Sequence, residues 1–209
     1  MDVEQQIRTR REGRRELPLL LWRFPVPARV IASTPHGGGL GPRRWVVNAQ
    51  VPSQYGRRDP DRHLARLAVS LGLSGRGAGM LTAADVRAFT TAGDAGVDVI
   101  ATVGLGHPIL AAAPDGGRFG EVVGTINALV MVPARLSDAA LVNAVSTVTE
   151  AKTQALHDAG FDATGTATDA VCIACPERGA PVAFAGPRSV WGARMARAVY
   201  GAVLAGARP

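Results

Sequence analysis

The sequence predicts an α/β fold: a single domain in which a mixed β-sheet is layered with α-helices. Three observations predict it. Short apolar runs bounded by Gly and Pro recur at strand length. Two longer segments, residues 59–71 and 138–159, carry helical stripes. Some of the runs are joined by tight turns and others by helices, which argues against a purely parallel, doubly wound sheet.

At 209 residues the chain has the length of one domain. Hydrophobic residues make up 47% and aromatics only 5%, so the core is expected to be aliphatic. Residues 1–17 are basic with little apolar pattern and read as a mobile N-terminal arm, leaving 18–209 as the domain. Arg29–Ser33 reads as a strand. The glycine-rich loop 36–41 follows, and Arg44–Val51 is the next strand, ended by Pro52. Strands 29–33 and 44–51 can pair as a hairpin. Asp59 and Pro60 open a helix that runs to Leu71, with His63 beside its apolar stripe and expected in solvent. The pattern over Met80–Val86 leaves strand and short helix open. Val97–Val103 reads as a strand, Asp115–Gly117 as a turn and Thr125–Val132 as a strand. Ser137 is placed to cap a helix over 138–159, with Gly160 just past its end. Ala170–Ala174 and Pro181–Ala185 read as a hairpin, and Ser189 caps a final helix through Ala205.

The formal charge is +6, from 23 basic and 17 acidic residues. Such a balance suits anionic ligands. The arginines are scattered, however, and the cluster at Arg8, Arg10, Arg11, Arg14 and Arg15 is diluted by Glu12 and Glu16, so nucleic acid is not an expected partner. No run approaches the roughly 18 apolar residues of a membrane helix. Leu19–Trp22 is too short for a signal peptide. A soluble, cytoplasmic protein with no membrane partner is expected. Cys172 and Cys175, three apart on a strand, point to opposite faces and cannot share a metal or a disulfide. No Walker A motif or dinucleotide fingerprint is present. No metal and no cofactor are expected.

Chemistry concentrates between Gly124 and Ala174. Lys152 is the single lysine of the chain. It falls on the stripe Leu141, Val145, Val148, Lys152, Ala155, Ala159 of the long helix. A lysine in the middle of an apolar stripe needs a carboxylate or carbonyl partner. Asn143, Thr147, Glu150 and Gln154 lie on the opposite face, so Glu150 cannot be that partner. Thr125, following Gly124 at a strand start, is either simple β-propensity or a nucleophile. The loop Thr164–Asp169 either cradles a polar ligand through Thr166 and Thr168 or is a turn capped by Asp169. Asn48 inside an apolar strand needs hydrogen-bond partners. His107, between glycine and proline, sits on a loop and is a candidate ligand-binding residue. A polar pocket is expected from loops 34–41, 104–108, 124–127 and 164–169.

The segments NAQVP (48–52), GMLTAADV (79–86), ATVGLGHP (101–108), GTIN (124–127), the TEAK helix (136–156) and TGTATDAV (164–171) occur in one order. Together they resemble the adenosylcobinamide amidohydrolase family over residues 28–205, with 18–209 then forming one amidohydrolase domain. The resemblance implies a corrinoid-salvage enzyme that hydrolyses the amide joining aminopropanol, or its phosphate, to the corrin ring. The product is adenosylcobyric acid. The cobalt corrinoid would be a small-molecule substrate and not a cofactor, and a homo-oligomer is open. The order Gly-Thr, strand, long helix, Gly/Thr turn, strand is also similar to self-processing acyltransferases of the ornithine acetyltransferase type. That similarity implies Thr125 as nucleophile, with Lys152, Asp169 or Asn127 orienting and Thr82 or a backbone amide serving the oxyanion. Asn48, Thr82, His107, Asn127, Thr166 and Thr168 are the expected substrate-binding residues. The rival reading is a non-catalytic corrinoid-binding or delivery protein.

Overall fold

A computed structural model describes residues 1–114 and 124–208, and its longest strand organises the rest. Among the described residues, eight strands form one mixed sheet. They are β1 (Glu4–Glu12), β2 (Arg15–Ala32), β3 (Gly39–Gln50), β4 (Gly77–Thr82), β5 (Thr90–Asp94), β6 (Val97–Gly104), β7 (Thr125–Met131) and β8 (Ala170–Pro176). The helices are α1 (Pro60–Ser70), α2 (Asp138–Asp158) and α3 (Val190–Ala207). Across the sheet the order is β4-β3-β2-β8-β7-β6-β5, with β1 also on β2. The pairs β3–β4 and β7–β8 are parallel and the others antiparallel. This is the mixed, helix-layered α/β sheet the sequence predicts.

Strand β2 is long enough to serve both halves of the molecule. Its alternating side chains separate two apolar layers, because successive residues of a strand point to opposite faces. Leu19 and Leu21 pack with Trp45, Val47 and Ala49 of β3 and Leu64 and Leu67 of α1. Leu20, Trp22 and Phe24 turn the other way and meet Leu129, Met131, Cys172 and Ala174. The β2–β4 half therefore packs face to face on the β6–β8 half. The outer face of that second half, through Val99, Val130 and Ile173, is covered by α2 and α3. The register of β2 against β3 shifts between Arg23 and Ala28. Pro25 and Pro27 lie in this interval and have no N–H to give a ladder.

The helix ends follow their sequence signals. Ser137 Oγ accepts from Ala140 N at 3.1 Å and Ser189 Oγ from Gly192 N at 3.0 Å. Gly160 has φ +89°, the left-handed conformation that ends α2. On α2, Leu141, Val148 and Ala155 are buried as expected, and Glu150 is exposed. Thr147, expected on the outer face, is instead buried, and its hydroxyl donates to Ala185 O at 2.9 Å. The chain before α3 covers that flank, which a stripe count on one helix cannot show. No helix among the described residues is long and apolar enough to cross a membrane.

Several expectations need correction. Residues 4–12 are not a mobile arm: they pair antiparallel with β2, from Glu4↔Arg23 to Glu12↔Arg15. None of their side chains is fully buried, so no apolar alternation marks the strand. His63 is not in solvent but buried, bonded to Tyr55 Oη at 2.8 Å and Glu12 Oε1 at 2.9 Å. Met80–Val86 resolves into the end of β4 and a turn of 3₁₀ helix at Val86–Ala88. Strand β5, with its Thr-Thr-Ala-Gly-Asp sequence, carries no apolar run to announce it. Pro181–Ala185 does not form a hairpin with β8. Both edges of β8 are taken by β2 and β7, and Val182 bridges Leu136 instead. The turn expected at Asp115–Gly117 lies outside the described residues.

Both cysteines are buried and unpaired, Cys172 in the layer between the sheet halves and Cys175 under the helices. Burial pushes the Cys172 thiol up to about 12, so little thiolate forms at neutral pH. A thiol-labelling reagent at mildly alkaline pH is expected to modify neither cysteine in the folded protein and both after denaturation. Fast labelling of the native protein would contradict this packing.

Candidate active site

The site begins where β7 begins. Thr125 is its first residue, and the β7–β8 pairing brings the loop before β8 alongside. Thr125 Oγ1 lies 2.6 Å from Thr168 Oγ1. The carboxylate of Asp169, just before β8, is the anchor of the loop. Its Oδ1 accepts from Ile126 N at 2.9 Å and Thr166 Oγ1 at 2.5 Å. Its Oδ2 accepts from Thr166 N at 3.2 Å and pairs with the Lys152 ammonium. Here is the carboxylate partner that the position of Lys152 on the α2 stripe requires. Both side chains are 11% exposed.

Gly165 is fixed by that ion pair. A Cβ at this position would collide with both Asp169 Oδ2 and Lys152 Nζ. The loop therefore needs glycine for close approach, although its backbone is not in the left-handed region. Thr164 and Thr153 complete the hold: Thr153 Oγ1 donates to Thr164 O at 3.1 Å, and Thr164 Oγ1 accepts from Ala111 N at 2.8 Å.

The carbonyl of Gly124 lies at the centre of a ring of hydroxyls. Thr125 Oγ1 is 2.8 Å away, Thr166 Oγ1 2.9 Å and Thr168 Oγ1 3.2 Å. A carbonyl has two lone pairs, so the three hydroxyls compete for it. Thr166 also bonds the ionised Asp169, the stronger acceptor, which leaves Gly124 O chiefly to Thr125 and Thr168. A Cβ at Gly124 would sit 2.6 Å from Gly104 O, so this position too is closed to larger residues.

A cavity of about 460 Å³ opens beside these threonines. Thr125, Thr168 and Thr82 line it, together with Pro35, Val51, Leu81 and Ala170. Thr82 Oγ1 accepts from Ala84 N at 3.1 Å and keeps its own proton to donate. The other expected site residues fall into separate places. Lys152, Asp169 and Thr166 stand behind the wall and do not line the cavity. Asn48 and Asn127 lie between the sheet halves, where Asn127 Nδ2 donates to Asn48 Oδ1 at 2.9 Å and Leu81 O at 2.8 Å. Asn48 Nδ2 donates to Thr102 Oγ1 at 2.9 Å. These amides tie β3 to β6 and β7 and do not face the cavity. His107 is exposed on the loop after β6, away from the lining, although its backbone N runs beside Gly124. Loop 104–108 therefore adds nothing to the pocket, whereas 51–55 and 81–83 do.

Sequence reasoning missed Ser33, Ser53, Tyr55 and Arg57 of the lining. The available signal was the short polar loop with one aromatic, Pro52-Ser53-Gln54-Tyr55-Gly56, between a strand end and a helix start. Among the described residues no group of three or more His, Cys, Asp or Glu could hold a metal ion.

The fold and the cavity define the class: a mixed α/β domain with a hydroxyl-lined, largely apolar pocket beside a loop held by a Lys–Asp pair. The particular family follows from likeness. The profile of the adenosylcobinamide amidohydrolase family matches residues 2–209, and the chain belongs to that family. A relative of that description from Methanosarcina mazei is 30% identical over 183 residues, covering 83% of this chain and 88% of the relative. A second, from Halobacterium salinarum, is 38% identical over 115 residues, covering 52% of this chain and 49% of its own. The match reaches β1, so the N-terminal strand lies within the family's span.

Lys152→Met would leave the Asp169 carboxylate buried without its cation, with an expected loss of about 3 kcal/mol of unfolding free energy. Chemical denaturation measures this. A loss under about 1 kcal/mol would show that the pair is solvated and not a structural anchor.

Proposed function

We propose that this chain hydrolyses the amide that links aminopropanol, or its phosphate, to the corrin ring of adenosylcobinamide, giving adenosylcobyric acid for corrinoid salvage. The observation that carries the reading is Thr125 on the wall of a largely apolar cavity, in a chain of this family. A cavity of about 460 Å³ suits one side arm of a macrocycle, with the ring left at the mouth. The corrinoid is the substrate and no resident cofactor is invoked.

In this reading Thr125 gives its hydrogen bond to Thr168, and as the new C–O bond forms Thr168 takes that proton while passing its own to the amide nitrogen, so the net proton moves from Thr125 to the leaving amine. The Thr125 oxygen bonds to the amide carbon, and Thr82 donates to the developing oxyanion. The C–N bond breaks, and the amine leaves with the proton that Thr168 passed on. Water then cleaves the ester, giving the free acid and restoring the hydroxyl. Asp169 accepts from Ile126 N, Thr166 N, Thr166 Oγ1 and Lys152, so its lone pairs are occupied. It and Lys152 are positioning residues, holding β7 and the threonine loop in place.

A second reading is favoured by the Gly124 carbonyl, which lies against the Thr125 hydroxyl. Attack there would break the chain's own Gly124–Thr125 bond. Intact mass distinguishes them: one full-length chain removes self-cleavage, and two fragments establish it.

Purified protein is expected to release aminopropanol from adenosylcobinamide, measured by chromatography of the corrinoid product. Thr125→Ala should reduce the rate by at least about 10³-fold while corrinoid binding survives, and Thr125→Ser should retain measurable turnover. Binding by the wild type without release would favour a corrinoid carrier. An unchanged rate in Thr125→Ala would remove the threonine from the chemistry.

A further inference from the structure

Tyr55 lines the cavity and is itself held by a chain of partly buried hydrogen bonds that none of the residues discussed above explains. The chain runs Arg10–Glu12–His63–Tyr55 and joins three separate parts of the sequence. Arg10 Nε donates to Glu12 Oε1 at 2.7 Å, and Arg10 is fixed in turn by Gln50 O at 2.7 Å and Pro18 O at 3.2 Å. Glu12 Oε1 also meets His63 Nε2 at 2.9 Å, and His63 Nδ1 meets Tyr55 Oη at 2.8 Å. The His63 side chain is 9% exposed.

The proton positions follow from chemistry. Burial would raise the Glu12 carboxyl, but hydrogen bonds from Arg10 and His63 and the charge of Arg10 hold it below its ordinary value. An ionised carboxylate only accepts, so His63 Nε2 carries the proton and donates. With that one proton on the ring, Nδ1 is the acceptor and Tyr55 donates to it. Burial pushes the Tyr55 phenol up, so it keeps the proton this bond needs. The Tyr55 ring is also stacked on the imidazole, with centroids 5.6 Å apart. Its orientation is thus set from β1, at the far end of the sequence from the threonine loop.

We propose that Tyr55 is a ligand-binding residue of the cavity and that Glu12 and His63 are positioning residues that act through it. Its ring forms part of the apolar wall, with Val51, Pro52 and Pro60, against which the uncharged arm of the ligand lies. The N-terminal strand is then part of the binding site without touching the ligand. The kinetic part of this inference rests on the amidohydrolase reading; the proton positions do not.

The test has two arms. Nitrogen NMR of isotope-labelled histidine reports the His63 tautomer in the ligand-free protein. A protonated Nε2 with a bare Nδ1 is expected, and a protonated Nδ1 would overturn the scheme. The second arm is a double-mutant cycle read by adenosylcobinamide binding and by KM against kcat. Tyr55→Phe and Glu12→Ala should each weaken binding and raise KM by about tenfold, with kcat moving much less. The double variant should be no worse than Tyr55→Phe alone, because both remove the same constraint. Glu12→Gln, which can still accept from Nε2, should restore most of the affinity. Additive losses, or a fall in kcat at constant KM, would refute the positioning role. Thermal melting of each variant separates lost folding from lost binding. Absent turnover with this pattern of binding intact would sink the amidohydrolase reading alone.

Discussion

The ion pair of Lys152 and Asp169 is the constraint on which the site depends. It is formed across Gly165, where any side chain would collide with it. The pair links α2 to the loop that leads into β8, and the same carboxylate bonds the second residue of β7. One carboxylate therefore sets the relative position of a helix, a loop and two parallel strands. Satisfying four donors at a mostly buried site also explains why the charge can be tolerated there, since an unpaired buried carboxylate would neutralise itself. The geometry at Thr125 follows from this anchor. The β7 start is held at Ile126 N, one residue beyond the hydroxyl that faces the cavity.

This arrangement separates the Lys152–Asp169 pair from the hydroxyls that line the cavity. Lys152 and Asp169 are behind the wall, and Thr82, Thr125 and Thr168 line it. Arg57, the cation among the lining residues, is engaged by Asp59 through bonds of 3.0 and 2.9 Å. The cavity therefore presents neutral hydrogen-bonding groups on an apolar surface. Such a wall suits a neutral amide, whose carbonyl becomes charged only during reaction. Charges kept at a distance stabilise the scaffold without binding the ground state more tightly than the transition state.

What could be read from the sequence was what repeats along one element. Apolar runs bounded by Gly and Pro gave β6 and β7, the serine caps and Gly160 gave α2 and α3, and the misplaced polarity of Lys152 gave the need for a carboxylate partner. The partner of Lys152 was narrowed by helix geometry, which excluded Glu150, but Asp169 is supplied by the tertiary fold. Failures occurred wherever the deciding neighbour lies far away in sequence. Thr147 is buried by residue 185, and His63 by Glu12, which is 51 positions distant. Asn48 was rightly singled out as unusual in an apolar strand, whereas Asn127 entered only through the resemblance. Asn127 Nδ2 bonds Asn48 Oδ1 between the two sheet halves, and nothing local could distinguish that from facing a ligand. β1 was unreadable because it is held by its pairing with β2 and none of its residues is fully buried, so its sequence carries no apolar pattern.

The position of β1 has a further consequence for the architecture. β2 carries β1 on the same edge that, further along, carries β8: residues 15–23 pair with β1 and residues 28–32 with β8. The change of partner falls where Pro25 and Pro27 interrupt the ladder, so the prolines do not merely bend the strand but divide its edge into two docking sites. The first half of β2 is thereby closed off by β1, whose last residue is Glu12. The second half brings Ser33 to the N–H of Val171, at 3.0 Å, and so to the mouth of the cavity. One strand thus positions both walls: through β8 the threonine loop, and through β1 the chain that reaches Tyr55. Removing the edge pairing of β1 would expose unpaired backbone groups along β2 as well as release His63, which couples the integrity of the sheet edge to the shape of the site.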